Sequence, residues 1–131
     1  MKKGFLIFAT IFVFVFQSYG QESENKVTLI NAKDASVIFK NSPNVQLIDV
    51  RTKEEFASGH IKDAINIPIT DVDFSERIQN LNKKEPVYLY CRSGSRSSKA
   101  ANEISNLSFT TIYDIDGGIK NWQIIGLPLV K

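Results

Sequence analysis

Two compact, largely apolar runs, VQLIDV at 45–50 and VYLYC at 87–91, constrain this chain more than any other feature. Each is of strand length and bounded by turn residues, NSPN before the first and KKEP before the second. Runs of that kind suit strands hidden on both faces, as in a parallel sheet covered by helices. The intervening segments supply the helices. Residues 31–40 place Ala32, Ala35, Val37, Ile38 and Phe39 at helical spacing behind Asn31, a good N-cap. Thr52 precedes a second helix, with Glu55 three residues on as a capping-box partner and Gly59 as its stop. Further helices are predicted within 71–81, 97–107 and 119–125, and further strands at 27–30, 64–68 and 109–115. Alternation along the whole length predicts an α/β fold, a central parallel sheet flanked by helices.

The first residues must be set apart. Lys2 and Lys3 precede an apolar stretch from Phe5 to Phe16, which ends near Ser18-Tyr19-Gly20. This is the pattern of a cleavable secretory leader over 1–20, and the stretch is shorter than the roughly 20 residues that span a bilayer. No stable membrane insertion is expected after cleavage. Residues 21–26 read as a flexible lead-in and 27–131 as the folded domain. The leader predicts export, to the periplasm. It also accounts for the formal charge of +2, because no acidic residue precedes Glu22 and the rest of the chain carries 14 residues of each sign. A balanced surface gives no reason to expect nucleic acid as a partner.

The chain has one cysteine, Cys91, and so no intrachain disulfide. Cys91 ends the run VYLYC and is followed by Arg92, Ser93, Gly94, Ser95 and Arg96. With the next helix expected near Ser97, residues 91–96 form a loop between a strand's carboxyl end and a helix N-terminus, where ligands of α/β folds bind. Loop amides there can curl into an anion-binding nest, and the helix adds the positive end of its dipole. Gly94 permits the curl, and Ser93, Ser95 and Ser97 can donate hydrogen bonds. Such surroundings stabilise a thiolate and lower its pKa. A buried, inert cysteine would need neither the arginines nor the glycine.

His60, the one histidine, lies in SGHI at a helix exit and reads as structural. One cysteine and one histidine do not supply the usual zinc ligands, so no metal site is expected. Trp122 reads as core, and Gly117 and Gly118 as backbone freedom near the cysteine loop.

These landmarks together resemble the rhodanese family of sulfurtransferases. LIDVRTKEEFASGHIKDAINIP (47–68) is similar to its first signature, VYLYCRSGSRSSKAA (87–101) to its active-site segment, and DGGIKNW (116–122) to its closing motif. The resemblance covers about residues 27–130. It implies that Cys91 is the catalytic nucleophile and passes through a persulfide, with no cofactor. It implies that residues 92–96 bind the substrate, with Arg92 and Arg96 steering a small anionic donor such as thiosulfate or polysulfide. It implies that Asp49 and Arg51 support the site structurally. The acceptor would be cyanide or a thiol, including a thioredoxin-like protein. The span from Cys91 to Arg96 matches the sulfurtransferase loop, while the related dual-specificity phosphatases use one residue more. Two other readings stand beside this one: a sulfur-carrying or sensing module without turnover, and a cysteine-dependent phosphatase. The loop also departs from that of the well-known thiosulfate enzymes, which often carry a second basic residue where this chain has Ser93.

Overall fold

The computed structural model describes residues 27–131. The expected leader (1–20) and lead-in (21–26) lie outside the described residues. Five strands form one sheet: β1 (Val27–Ile30), β2 (Gln46–Asp49), β3 (Ile65–Asn66), β4 (Val87–Tyr90) and β5 (Ile112–Ile115). Their order is β1-β5-β4-β2-β3, and every pairing is parallel. The helices are α1 (Ala32–Asn41), α2 (Lys53–Ser58), α3 (Phe74–Gln79), α4 (Ser95–Ile104) and α5 (Gly118–Ile124), with a 3-10 turn at Ser105–Leu107.

The apolar runs become the middle of the sheet because alternate side chains serve opposite layers. Ile48, Leu89 and Ile112 pack with Phe74 and Ile78 of α3 and with Ala100, Ala101 and Ile104 of α4. Leu47, Tyr88, Tyr90 and Ile115 pack instead with Ala32 and Ala35 of α1 and with Ile119 and Trp122 of α5. Trp122 is thus a core residue, and its indole N–H donates to the Pro128 carbonyl at 3.0 Å.

The caps take the expected form. Asn31 accepts from the Asp34 amide at 2.8 Å, and Thr52 with Glu55 closes a reciprocal capping box. Element ends differ from expectation by more than one residue in three places. Strand β3 is only Ile65–Asn66, because the Arg51 amide that would extend the ladder donates instead to Asp49 Oδ1. Strand β5 begins at Ile112, after Ser108 turns the chain at φ 64°. Helix α4 begins at Ser95 rather than Ser97, with Gly94 at φ 111° turning the chain into it. Ser95 and Arg96 therefore belong to the first helical turn and not to the loop. Among the described residues, no helix is long and apolar enough to cross a membrane.

Candidate active site

Central strand β4 delivers Cys91 to the carboxyl edge of the sheet, where the side chain is 1% exposed. The chain then folds back on the sulfur. The Gly94 amide donates to Sγ at 3.1 Å, and the Ser97 hydroxyl lies 3.5 Å from it. Burial alone pushes the thiol pKa up. The Ser97 hydroxyl and the amides of Ser97, Gly94 and Ser93 outweigh it, so the net shift is down. Donors are therefore aimed at a buried sulfur, an arrangement that favours its thiolate form.

The loop is secured from two sides, and a buried fork sits at the neighbouring strand end. On the first, α5 donates the amides of Ile119 and Lys120 to the carbonyls of Cys91 and Arg92, at 2.9 and 3.0 Å. This close approach explains Gly118, which sits at φ 59°. A Cβ there would lie 2.4 Å from the Cys91 carbonyl oxygen and 2.7 Å from that of Arg92. At the end of the neighbouring strand β2, Arg51 and Asp49 form a buried fork. Arg51 Nη2 donates to Asp49 Oδ2 at 2.7 Å, its Nε reaches both carboxylate oxygens at 3.0 Å, and its amide binds Oδ1 at 2.9 Å. The remaining donor of Nη2 holds the Gly59 carbonyl at 2.7 Å, so the pair ties β2 to the end of α2.

On the second side of the loop, Arg96 reaches across to α2. Its two terminal nitrogens donate to the Glu55 carboxylate at 2.7 and 2.8 Å, holding that carboxyl down at about 2. Glu55 thus caps α2 through the Thr52 amide and anchors the cysteine helix with the same side chain. Arg96, expected beside Arg92 as a guide for an anionic donor, has its guanidinium engaged by Glu55. Arg92, Ser93 and Ser95 are exposed. Beside the loop lies a polar cleft of about 370 Å3 lined in part by Arg51, Glu55, Arg92, Lys120 and Gln123. Lys120 is the cation that the loop pattern did not reveal, because it comes from α5. His60 stacks on the Phe56 ring at 3.7 Å, and its Nδ1 lies 2.9 Å from the Phe56 carbonyl oxygen.

One residue near the cysteine escaped the reading of motifs. Asp114, on β5, is 3% exposed, and its Oδ1 has no hydrogen-bond partner. An aspartate inside the otherwise apolar end of FTTIYDI was its only signal in the sequence.

The fold and the loop define the class: a parallel α/β domain with a buried free cysteine at the end of its middle strand. The profile of the rhodanese-like domain matches residues 31–124, and this chain belongs to that family. It is 35% identical over 117 residues to the Bacillus subtilis protein YqhL, covering 89% of this chain and 88% of that one. It is 33% identical over 104 residues to a protein of Allochromatium vinosum named sulfurtransferase, covering 79% and 95%. Among solved structures, a rhodanese-related protein of Thermoplasma volcanium superposes with a TM-score of 0.67 at 33% identity, covering 79% of this chain and 97% of that one.

Proposed function

We propose that the protein is a sulfurtransferase working through a persulfide on Cys91. The Cys91 thiolate attacks the outer sulfur of an anionic donor such as thiosulfate or a polysulfide. The S–S bond of the donor breaks, and its remainder, sulfite in the case of thiosulfate, leaves with the bonding pair. An acceptor thiolate or cyanide then attacks the outer sulfur of the persulfide, and Cys91 departs as a thiolate. The amides of Ser93, Gly94 and Ser97 stabilise the sulfur anion in both halves of the cycle. Arg92 and Lys120 draw the donor into the cleft, while Arg96 keeps the loop in place through Glu55 and adds its charge from there.

The observation that carries this reading is the convergence of loop amides and the Ser97 hydroxyl on Cys91 Sγ. Relatives named sulfurtransferases support it. Intact mass after incubation with thiosulfate or polysulfide tests it. The expected result is a gain of one sulfur, reversed by dithiothreitol and absent in Cys91→Ser. No gain with any sulfur donor would remove the reading and turn attention to phosphate esters.

A second reading, a carrier that loads once and unloads only to a partner, is favoured by the near-complete burial of Cys91. A Bacillus subtilis relative, 25% identical over 104 residues, is named a putative sulfur carrier. Multiple turnover with a small thiol separates the two. The leader pattern adds export to the proposal, with a thioredoxin-like protein of that compartment as acceptor. Cell fractionation should find a mature chain lacking residues 1–20 outside the cytosol.

A further inference from the structure

Another cavity, of about 370 Å3, lies on the α1 and α5 side of the sheet and takes no part in the chemistry of Cys91. Its floor is apolar. Phe39 of α1 and Trp122 of α5 stack there with ring centroids 6.1 Å apart, and Ile61 and Leu127 continue the surface. The chain from Leu127 to Val130 separates it from the cleft beside the cysteine loop. Leu127 lines this cavity, whereas Leu129 lines the cleft.

Its walls are fixed by hydrogen bonds, so the cavity is formed before any ligand arrives. The Leu127 amide donates to the Trp122 carbonyl at 3.1 Å, and the Trp122 indole N–H to the Pro128 carbonyl at 3.0 Å. His60 and Val130 exchange backbone bonds, each of 2.9 Å. At the rim the Ala64 amide donates to the Ile61 carbonyl at 3.1 Å, closing a turn around Lys62 and Asp63. The neutral side-chain donors of the lining are already committed: the indole N–H as above, and the Ser36 hydroxyl to the Lys33 carbonyl at 2.7 Å. A sugar or nucleoside, rich in acceptors, would find neither of them free. The charged groups are Lys40, Lys62 and Asp63, all exposed, two cations against one carboxylate. Among the described residues neither lysine is part of an ion pair.

From this lining we infer that the cavity is a binding site for a small aromatic carboxylate or sulfonate, with its flat apolar body on Phe39 and Trp122 and its acidic group toward Lys40 and Lys62. The aromatic floor favours a ring that can stack, and burial of that ring supplies most of the attraction. The lysines set the sign of the charge. Asp63 reduces the positive balance at the mouth without reversing it. The volume is within the range of sites that bury a small ligand, roughly 300–1,000 Å3.

The test uses naphthoate as the ligand and naphthylmethanol as its neutral counterpart. NMR shifts of backbone amides and of the indole N–H are followed as each is added to the nitrogen-labelled protein. Naphthoate should give saturable shifts at Phe39, Lys62, Trp122 and Leu127, while the amides of residues 92–96 stay still. The alcohol should bind roughly five- to tenfold more weakly. Joint substitution Lys40→Gln and Lys62→Gln should weaken naphthoate by a similar factor and leave the alcohol unchanged. Both lysines are exposed, so the double variant keeps the fold. The inference is overturned by the absence of saturable shifts at these residues or by shifts centred on the cysteine loop. Equal affinity for acid and alcohol overturns it too, as does a double variant that binds naphthoate as tightly as the native protein. Cys91 is untouched in every arm, so the outcome is independent of the sulfurtransferase reading.

Discussion

Two arginine–carboxylate forks lie near the cysteine loop, one beside it and one tied to it, and they differ in exposure. The Asp49–Arg51 pair is shut inside the protein, with side chains 0% and 6% exposed, whereas the Glu55–Arg96 pair is about a third exposed on both partners. Their contact distances are equal at 2.7 Å. Equal geometry does not mean equal energy. Removing one member of a buried pair leaves the other charge stranded without water, while the loss of an open pair is softened by solvent. The inner fork holds the framework of β2 and α2. The outer fork ties α2 to the helix that begins beside Cys91.

The largest effect should follow Asp49→Ala, which strands the Arg51 guanidinium. A loss of roughly 3–5 kcal/mol is expected in denaturant unfolding. A loss as small as that of the outer pair would break the contrast. Gly118→Ala comes next, because its Cβ must displace the carbonyls of Cys91 and Arg92. A cost of about 1–3 kcal/mol is expected, with slower alkylation of Cys91 as the loop shifts. Glu55→Gln should cost only about 0–1 kcal/mol. Its signature lies elsewhere: the freed Arg96 should change the donor KM more than the stability.

The smallest effect is a pH dependence. The Glu55 carboxyl falls from an ordinary 4.5 to about 2 in the folded state. Its contribution to stability is therefore whole above 4.5 and lost as pH drops toward 2, and it is modest because the pair is open to water. Unfolding curves for the native protein and Glu55→Gln should diverge at neutral pH and converge in acid.

The inner fork was half legible in the sequence and the outer one hardly at all. Asp49 and Arg51 sit two residues apart at the end of an apolar run, so their pairing is local. Arg96 and Glu55 are 41 residues apart, and no local pattern joins them. Thr52 and Glu55 were visible as a capping box, but the second task of Glu55 depends on where α4 begins. That start moved by two residues because Gly94, at positive φ, turns the chain directly into the helix. The middle strands were readable because burial on both faces leaves an unbroken apolar run. Strand β3 was not, since its pairing stops where the Arg51 amide turns to the Asp49 side chain. The place of Asp114 depended on which layer β5 presents to α4, and no local pattern reveals that.

The sheet order sets when the surroundings of Cys91 can assemble. Strand β4 draws its neighbours from both sides of itself in the chain, β2 synthesised earlier and β5 later, and its loop is pinned by amides of Ile119 and Lys120. A nascent chain that has emerged only as far as Cys91 lacks every donor that meets the sulfur, since Ser93, Gly94 and Ser97 follow it. The loop that carries them gains its anchor only once α5 has been made.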